Sequence, residues 1–561
     1  MRIVTSPLPP SDFIRDFPEY PAVIQRLLYR RGLTSQELID DFLDPQFSQL
    51  ADPLLFQDMQ KACARIYDAA QKGELIAVYG DYDADGVCGA AILQTTLSLL
   101  SAKVVCYIPH RDKEGYGLNT AAIDYLAKQG AKLIITCDCG ISNTSEVDYA
   151  AGQAIDVIVT DHHLLPENLP KALAIIHPKR PSETYPCKFL SGGGVAYTLV
   201  RGLLRDERCR LTDVQKESHE KWLLDLVAIA TVADMVELAG ENRTIVKFGL
   251  MVLAKGRRLG MQELYRASRI DPHRLSAQTI GFQIAPRINA AGRMDHANTA
   301  YALLTTENRD EAARLARLIE SQNKDRQKLT EHMYRVATTQ IASQSGPVLF
   351  FFDPGWTAGL TGLLASRLSR ELERAVFVMG SQDQLIVGSG RAPEHVNIMD
   401  CLVSVKSMLK SFGGHPQACG YRMASNRKDE FVRAVQAYFL EHLDRMAIPQ
   451  RDSYAADAIL TLPDITWEFA DWLSKFEPYG QTNPEPVFVA ENVKIAQCRD
   501  MGKDGSHQQL LLTQAQKSIK AVIFKPKQKL ERGSIRDIAF NVRINEWNGN
   551  RELRLEVRDV L

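Results

Sequence analysis

The stretch LIAVYGDYDADG, residues 75–86, decides the fold of this 561-residue chain. It is an apolar run that breaks into three aspartates, Asp81, Asp83 and Asp85. An uninterrupted apolar run of this length is typical of a strand that is covered on both faces, as in a parallel sheet. Open parallel sheets bind their ligands beyond the carboxyl ends of the strands, where these carboxylates would lie. We therefore expect an α/β domain with a functional site at that edge.

The same pattern continues on the carboxyl-terminal side of this stretch. Short β-rich runs alternate with helical stretches such as 89–100 and 120–129. This alternation predicts a doubly wound parallel sheet. The predicted strands are residues 75–79, 104–108, 133–136, 157–160 and 174–176.

Two further strands of this sheet also run into polar residues. Strand 133–136 precedes Asp138, and strand 157–160 precedes Asp161, His162 and His163. Clustered carboxylates repel one another and resist ionisation unless a cation compensates their charge. A mixture of carboxylate and imidazole ligands suits Mn²⁺ or Mg²⁺ better than zinc, and the imidazole favours Mn²⁺. The sequence therefore predicts a divalent-metal site for phosphoester chemistry.

Each of these residues also has an ordinary structural interpretation. A single aspartate after a strand, such as Asp138 or Asp161, is usually a helix cap or a turn residue. Residues 81–86 could form a calcium-type loop, but the distant glutamate of an EF-hand is missing and a strand precedes the loop. The coincidence of polar residues at three strand ends favours one shared site.

Composition narrows the class of protein. With 45% apolar and 24% charged residues, the chain is typical of a folded soluble protein, and its length predicts three or four domains. No apolar run approaches the ~20 residues of a membrane span. The amino terminus lacks the apolar stretch of a signal peptide, and ten scattered cysteines indicate reduced thiols, so we expect a cytoplasmic protein. A net charge of −1 leaves nucleic-acid binding open.

The remaining chain divides by its patterning. Residues 310–343 contain no proline or glycine and predict one long helix; strands at 348–352, 375–379 and 385–388 predict a second α/β domain. Strands at 509–513, 518–524, 538–545 and 552–557, the last two joined by an Asn548-Gly549 turn, predict a small barrel. The predicted division is an N-terminal helical segment without chemistry (1–70), a catalytic α/β domain (71–305), a long connector helix (306–345), a second smaller α/β domain (346–447) and a C-terminal OB-like β-barrel (448–561).

Four motifs in order carry a specific resemblance. They are GDYDADG at 80–86, TCDCGIS at 136–142, DHH at 161–163, and LDLVA at 224–228 followed by TVAD at 231–234. On these motifs the chain is identified as a member of the DHH phosphoesterase superfamily. Within it, the chain resembles the bacterial exonucleases that are specific for single-stranded DNA. The agreement continues through EGYGL at 114–118, PRINAAGR at 286–293, ASRL at 365–368, GSGR at 388–391 and GGHP at 413–416.

The resemblance implies two divalent ions, Mn²⁺ or Mg²⁺, and a second domain of the DHHA1-like type. It implies that Asp138 bridges the two ions, and that Asp81 and His163 are ligands or their immediate partners. The implied metal ligands are Asp83, Asp85, Asp138, His162 and Asp234, with Asp81 as a further candidate ligand. The implied catalytic residues are the same five and His163.

Other residues near these motifs are expected to play no part in metal binding. Asp225 precedes Asp234 by nine positions, which places it on the opposite face of a helix, so we expect it to be structural. Some superfamily members have a histidine where Tyr79 stands, and that ligand must be replaced or absent. Cys137 and Cys139 flank Asp138 and are expected to pack as small apolar groups, although thiolate ligation is the alternative.

Candidate substrate-binding residues follow the same strand ends and the glycine-rich motifs. Arg111 and Tyr116 follow strand 104–108; an arginine can grip a phosphate and a tyrosine can stack on a base, although a surface charge and a core aromatic are the ordinary alternatives. The resemblance places the second domain across a cleft and implies that His415 helps to bind substrate. The other candidates are Arg287, Asn289 and Arg293, and Ser389 and Arg391 in a glycine-bearing loop.

Basic residues of the predicted barrel offer a path for single-stranded DNA. Lys525, Lys527, Lys529 and Arg532 follow Phe524, although such clusters are usually solvated loops. The resemblance implies a metal-dependent exonuclease that degrades single-stranded DNA 5′ to 3′ in repair and recombination. Single-strand-binding protein and a helicase are expected partners, and no membrane is. The alternatives are a phosphodiesterase for short oligonucleotides or cyclic dinucleotides, and a non-catalytic scaffold of a replication complex.

Overall fold

The computed structural model describes residues 2–342, 344–442, 453–502, 505–547 and 550–561. The domain predicted to be catalytic, which we call the catalytic domain, is built on a five-stranded sheet in which all neighbouring strands run parallel, in the order β3-β2-β4-β5-β6. All five strands predicted for this domain are present. They are β2 (Leu75–Gly80), β3 (Lys103–Tyr107), β4 (Ala131–Cys137), β5 (Asp156–Thr160) and β6 (Ala174–Ile176).

Helices cover both faces of this sheet, as a doubly wound fold requires. Along β2, Ile76 and Val78 pack into one core, while Ala77 and Tyr79 pack into the core on the other face. Burial on both sides explains why the strand reads as a continuous apolar run. The first face is covered by α4 (Met59–Lys72), α5 (Ala84–Leu99) and α8 (Gly192–Arg205), and the second by α6 (Thr120–Lys128) and α7 (Thr144–Gly152).

A helical layer completes the catalytic domain and leads to the connector. The segment 277–294 is one helical run containing a π-type turn at Ile280–Ile284. The predicted connector is confirmed as a single 33-residue helix, about 50 Å long at the usual rise per residue. These helices are α9 (Asp213–Trp222), α10 (Leu224–Ala233), α11 (Gly240–Lys255), α12 (Leu259–Ser268), α13 (Ala277–Thr279), α14 (Ala285–Met294), α15 (Asn298–Thr305) and the connector α16 (Arg309–Ile341).

The second domain is a mixed sheet in the order β10-β11-β9-β8-β7, with only β7 and β8 parallel. Ser389 and Arg391 lie on a strand and not in the predicted loop, and His415 ends a hairpin strand. The hairpin escaped prediction because β10 is exposed and glycine-rich, which removes the alternation that marks a strand. The elements are β7 (Val348–Phe352), α17 (Ala358–Leu372), β8 (Ala375–Gln382), β9 (Leu385–Arg391), α18 (Ile398–Ser404), β10 (Ser411–His415), β11 (Ala418–Ala424) and α19 (Lys428–Glu441).

The carboxyl-terminal domain is a closed five-stranded barrel, which confirms the OB-like prediction. Pairing of β14 with β17 closes the order β14-β15-β16-β18-β17. The predicted Asn548-Gly549 turn lies outside the described residues, but the strands on either side of it pair antiparallel. The elements are β12 (Ser453–Ala456), β13 (Ala458–Ile459), α20 (Trp467–Lys475), β14 (Phe488–Met501), β15 (His507–Gln514), β16 (Lys517–Phe524), β17 (Ile535–Trp547) and β18 (Asn550–Val560).

The N-terminal segment joins the barrel to the catalytic domain. Strand β1 (Arg2–Thr5) pairs with β12, and helices α1 (Ser11–Asp16), α2 (Ala22–Arg30) and α3 (Gln36–Leu43) share a core with the barrel. Residues from Leu50 onward pack into the core of the catalytic sheet instead. Within the described residues, segment 1–70 therefore contributes to hydrophobic cores of both the barrel and the catalytic domain. No helix in the described ranges is both long and apolar enough to cross a membrane.

Candidate active site

The turn between β2 and α5 places two carboxylates at the edge of the sheet. Asp83 is the N-cap of α5, and its Oδ1 accepts hydrogen bonds from the backbone N–H groups of Asp85 (2.9 Å) and Gly86 (3.1 Å). The carboxylate of Asp85 accepts from the N–H groups of Gly192 and Gly193, both at 2.7 Å. The amino termini of α5 and α8 therefore fix these two side chains.

Asp138 occupies the centre of the site, directly after β4. Its backbone adopts a left-handed conformation, with φ +63°, which is uncommon for a residue with a side chain and is often found at functional sites. A Cβ atom at Gly192 would lie 2.4 Å from the Cβ of Asp138, so the first turn of α8 approaches Asp138 as only glycine allows. The result is a buried carboxylate between two strand ends.

The two histidines of the DHH motif have different environments. His162 Nε2 lies 3.1 Å from Asp138 Oδ1, 3.5 Å from Asp234 Oδ2 and 3.9 Å from Asp85 Oδ2. His163 Nδ1 instead lies 2.8 Å from Asp161 Oδ1. His162 thus faces the carboxylates, while Asp161 holds His163.

Asp234 reaches the site from the carboxyl end of α10, where it caps the helix. Asp225, near the beginning of the same helix, is buried away from this cluster and pairs with Arg258 at 2.6 Å. The nine-residue spacing in the sequence therefore correctly predicted that Asp225 and Asp234 lie on different faces of the helix and that Asp225 is structural.

The described residues form three groups that could each hold a metal ion, with ligand atoms within 4.8 Å of one another. Two groups share Asp138, and two share His162. The groups are Asp81, Asp83 and Asp138; Asp85, His162 and Asp234; and Asp138, His162 and His163.

Unpaired buried atoms show that this arrangement fits cations. Asp81 Oδ1, Asp138 Oδ1 and His162 Nε2 are buried and take part in no hydrogen bond of the described structure. Such atoms carry a large desolvation penalty unless a bound ion or water satisfies them. Four oxygen donors and one imidazole nitrogen around Asp138 form a set suited to Mn²⁺ or Mg²⁺.

The electrostatics of the carboxylates lead to the same interpretation. Burial, and then the charge of Asp83, raises the pKa of Asp85 to about 7, while burial and the charge of Asp85 raise that of Asp234 to about 9. Burial and Asp85 also raise the pKa of Asp138 well above its usual range. Because like charges in a buried space oppose ionisation, these carboxylates require compensating positive charge to be ionised together.

The histidines are held in opposite protonation states. Burial and the charge of His163 lower the pKa of His162 to about 3, so His162 presents a neutral nitrogen. Burial alone would lower the pKa of His163, but its hydrogen bond to Asp161 and the charge of that carboxylate raise it to about 9. His162 is therefore suited to ligation, and His163 holds a proton between its Nδ1 and Asp161.

Three residues near the site that could have been metal ligands have structural roles instead: Tyr79, Cys137 and Cys139. The hydroxyl of Tyr79 lies on the other face of the sheet and donates to the carbonyl of Gly117 at 2.9 Å, so it provides no ligand. Cys137 and Cys139 are fully buried, and burial raises the pKa of both thiols. They pack as small apolar groups, as expected.

Two residues of the site escaped the sequence reasoning. His177 Nε2 donates to the carbonyl of His163 at 2.9 Å, and Lys179 Nζ donates to the carbonyl of His162 at 2.7 Å. Burial lowers the pKa of His177 to about 4, and its Nδ1 accepts from the N–H of Lys179, which fixes the neutral tautomer. The sequence could have indicated both residues, because His177 and Lys179 follow the predicted strand 174–176 just as the other site residues follow their strands.

Arg111 and Tyr116 flank the metal-ligand groups as predicted. The guanidinium of Arg111 lies over the ring of Tyr82, with 4.6 Å between its Cζ and the ring centroid. The hydroxyl of Tyr116 donates to the carbonyl of Asp138 at 3.0 Å and lies 3.0 Å from His163 Nδ1. The side chain of Tyr116 is 46% exposed, which leaves an aromatic surface beside the site.

Arg293 and Arg391 lie where the second domain approaches the catalytic domain, and the charge of Arg391 acts on Arg293. Arg293 Nη1 donates to the carbonyl of Gly359 in α17 at 2.9 Å, and burial together with the charge of Arg111 lowers the pKa of Arg293 to about 9. A Cβ at Gly362 would lie 3.1 Å from Arg391 Nη2 and 3.5 Å from Ser389 Oγ. Like-charged arginines at the amino end of a helix form an environment suited to an anion.

The other predicted substrate-binding residues differ in position. Asn289 Oδ1 accepts from the N–H of Ala84 at 2.8 Å, and Arg287 pairs with Glu320 of the connector at 2.7 Å. In this structure both therefore contact protein groups beside the site. His415 lies on the exposed strand β10, at its end; partial desolvation, and then the charges of His163 and Lys179, lower its pKa.

Comparison with known proteins identifies the family. The DHH family, N-terminal domain, matches residues 75–231, the DHHA1 domain matches residues 345–441, and the RecJ OB domain matches residues 456–559. The single-stranded-DNA-specific exonuclease RecJ of Escherichia coli is 31% identical over 571 residues, which cover 98% of this chain and 97% of that protein. The chain belongs to the RecJ family.

Other RecJ proteins show the same extent of similarity. The single-stranded-DNA-specific exonuclease RecJ of Bacillus subtilis is 35% identical over 550 residues, covering 96% of this chain and 67% of that protein. The crystal structure of Thermus thermophilus RecJ in complex with Mn²⁺ superimposes with a TM-score of 0.83 and 29% identity, covering all of this chain and 79% of that one. The RecJ architecture therefore extends over the whole chain.

Proposed function

We propose that this chain is a metal-dependent exonuclease that degrades single-stranded DNA from 5′ to 3′ into nucleotides, in DNA repair and recombination. The observation that carries the proposal is the pair of ligand groups that share Asp138, beside Arg111 and Arg293 of the catalytic domain and Arg391 of the second domain. The names of the RecJ relatives support the substrate class. The 5′-to-3′ direction rests on family resemblance.

The proposed ligands are Asp81, Asp83, Asp85, Asp138, His162 and Asp234, with Asp138 shared between two ions. Bound divalent ions supply Lewis acidity, which activates water near neutral pH and stabilises charge on the leaving oxygen. The protein contributes the fixed orientation of the ligands and a proton held at His163 Nδ1. His177 and Lys179 hold the backbone of both histidines in place.

The arginines and the exposed aromatic ring are proposed to bind the polynucleotide. Arg111, Arg293 and Arg391 would contact phosphates, and Tyr116 would stack on a base. Ser389 and His415 would add donors from the second domain. Asn289 and Arg287 would support this surface by holding α5 and the connector, as their contacts indicate.

The domain division is also proposed with these roles. Residues 71–305 would perform the chemistry, residues 346–447 would bind substrate across the cleft, and residues 448–561 would bind nucleic acid. Residues 306–345 would set the spacing of the first two, and residues 1–70 would tie the barrel to the catalytic sheet. The boundary at 447 falls in residues 443–452, outside the described residues.

Two alternatives fit the chain less well. A phosphodiesterase for short oligonucleotides or cyclic dinucleotides would use the same metal chemistry, but it would have no evident use for a barrel matching the RecJ OB domain. A non-catalytic scaffold would not need unpaired buried ligand atoms around Asp138. A cytoplasmic location and interactions with single-strand-binding protein and a helicase are further parts of the proposal.

Substrate competition tests the proposed function directly. Purified protein with Mn²⁺ is expected to release nucleotides from single-stranded DNA labelled at either end, with the 5′ label released first. Duplex DNA and a cyclic dinucleotide serve as competing substrates. Cleavage of the cyclic dinucleotide alone would overturn the substrate assignment, and first release of the 3′ label would overturn the direction.

Arg391→Met is expected to weaken substrate binding more than it slows chemistry. Loss of a charge-assisted phosphate contact should raise KM for single-stranded DNA about tenfold or more, with a smaller change in kcat. Arg374→Met is the matched control, because Arg374 lies in the same domain but donates to the carbonyl of Gly346. Steady-state kinetics measure KM for single-stranded DNA in both variants. Equal KM values in Arg391→Met and Arg374→Met would contradict the role of Arg391.

Substitution of the barrel's basic residues is expected to affect only long substrates. Lys525, Lys527 and Arg532 are replaced with alanine, and Lys529 is retained because it pairs with Asp500. Loss of these cations should lower the slope of log Kd against log salt by up to about 2 for three lost contacts. Lys517→Ala, at the other end of β16, is the control. An unchanged salt slope on a long single strand would exclude these residues from the DNA path.

A further inference from the structure

A buried arginine of the catalytic domain holds the barrel. Arg243 of α11 is 1% exposed, although its guanidinium is charged. Its side chain donates five hydrogen bonds of 2.8–3.3 Å, and every acceptor is a backbone carbonyl outside the catalytic domain. One acceptor belongs to Phe42 of α3. The other four belong to Lys475, Phe476, Glu477 and Pro478, at the start of what we call the barrel loop (residues 475–485).

The barrel loop makes a second contact with the catalytic domain. The N–H of Leu238 donates to the carbonyl of Gln481 at 2.9 Å. Gly480 lies so close that a Cβ atom there would be 2.5 Å from Leu238 Cδ1. The chain on the carboxyl-terminal side of Leu238 is also held in place. Asn242 Nδ2 donates to the carbonyl of Glu237 at 3.0 Å and to that of Phe189 at 2.6 Å.

These contacts are close along the chain to Asp234, a member of one metal-ligand group. Asp234 ends α10, Met235 turns the chain with φ +58°, and Leu238 meets the barrel only four residues beyond Asp234. The next helix, α11, begins at Gly240 and carries Arg243. The short linker that sets the position of Asp234 is therefore held at its far end by the barrel loop.

The chemistry of Arg243 indicates more than adhesion between domains. Burial lowers the pKa of Arg243 to about 10, because removing the charged guanidinium from water is unfavourable. The hydrogen bonds to carbonyl oxygens offset this desolvation penalty. All five N–H donors of the guanidinium are used, and the four that bind loop carbonyls fix the orientation of the loop as a single hydrophobic contact would not. Removing such a group is expected to loosen the loop and the linker together.

We propose that the barrel loop positions Asp234 for metal binding, with Arg243 as the positioning residue. The barrel then supports the metal centre in addition to binding DNA. The inference rests on the proposed function only in taking Asp234 as a ligand. It requires that Arg243 influence substrates too short to reach the DNA-binding face of the barrel.

The test compares Arg243→Met with Arg31→Met in the full chain. Arg31 donates to Asn483 Oδ1 and to the carbonyl of Pro484, both at 2.8 Å, and so holds the same loop from the N-terminal helices through oxygen atoms that Arg243 does not bind. Mn²⁺ binding is followed by electron paramagnetic resonance in the absence of DNA. Arg243→Met is expected to weaken binding of at least one Mn²⁺ by about 10- to 100-fold, as loss of outer support does at metal sites.

Kinetics and melting separate positioning from stability. Arg243→Met should lower kcat on a dinucleotide, with KM for long single strands little changed, whereas Arg31→Met should leave both kcat and Mn²⁺ affinity within about twofold of the parent. Unchanged Mn²⁺ affinity in a folded Arg243→Met protein would overturn the proposal. Equal weakening of Mn²⁺ binding in both variants, matched by an equal loss of melting temperature, would also overturn it, since metal affinity would then follow overall stability.

A second variant keeps the test decisive if Arg243→Met does not fold. Gly480→Ala presses on the end of the Leu238 side chain and leaves Arg243 intact. Weaker Mn²⁺ binding in Gly480→Ala supports the proposal, and parental binding rejects it. A parent protein that binds Mn²⁺ but cleaves no single-stranded DNA would reject the proposed function alone, because the metal titration contains no DNA.

Discussion

Asp138→Asn is expected to lower kcat on single-stranded DNA by at least about 1,000-fold while leaving the protein folded. Asp138 belongs to two of the ligand groups, and asparagine removes the negative charge that both would share. The matched control is Asp156→Asn, because Asp156 begins strand β5 at the opposite end of the same sheet and pairs with Arg65. Single-turnover kinetics with saturating Mn²⁺ measure the chemical step in both variants.

Melting curves give this prediction a second readout with a defined sign. Because burial and neighbouring carboxylates raise the pKa of Asp138, its ionisation disfavours the metal-free folded state at any pH above the unfolded value near 3.8. Asp138→Asn should therefore melt at a higher temperature than the parent in EDTA at pH 7, and should gain less from added Mn²⁺. Parental kcat in the variant, or identical Mn²⁺ stabilisation, would contradict the central position of Asp138.

Gly192→Ala is expected to lower activity about 100-fold or more through one added methyl group. Its Cβ would lie 2.4 Å from Asp138 Cβ and 2.5 Å from Asp138 Oδ1, closer than any tolerated contact. The same residue donates its N–H to Asp85 at 2.7 Å, so relief of the clash would move the support of a second carboxylate. Both kcat and Mn²⁺ affinity should therefore fall.

The first turn of α8 supplies a matched control for this substitution. A Cβ at Gly194 would meet Leu190 Cβ at 3.4 Å, an ordinary contact, and Gly194 faces neither carboxylate. Gly194→Ala should keep kcat and Mn²⁺ affinity within about twofold, since alanine also favours the helix. If both variants retained full activity, the close approach of α8 to Asp138 would have no functional meaning.

Local sequence was sufficient for the catalytic sheet and the centre of the site. Strands buried on both faces are continuous apolar runs, and the polar residues after β2, β4 and β5 meet because parallel strands end at one edge. The helical phase between Asp225 and Asp234 separated a structural aspartate from a site residue, and the motif series indicated the superfamily. Ligand roles and substrate contacts for individual residues remain proposals.

Features that depend on contacts between distant parts of the chain could not be predicted from the sequence. The β10 hairpin lacks alternation because it is exposed, so His415 looked like part of a loop. Asn289 and Arg287 matched a motif, but only the packing showed that they contact Ala84 and Glu320.

The sequence by itself determined the chemistry available at LIAVYGDYDADG, since a strand followed by carboxylates depends on neighbours in the chain. Tertiary structure decided which distant groups hold that chemistry in place. Gly192 allows α8 to approach Asp138, His177 and Lys179 hold the two histidines, and Arg243 joins α11 to the barrel. Such contacts join residues far apart in the chain, and a local pattern carries no record of which surfaces will meet.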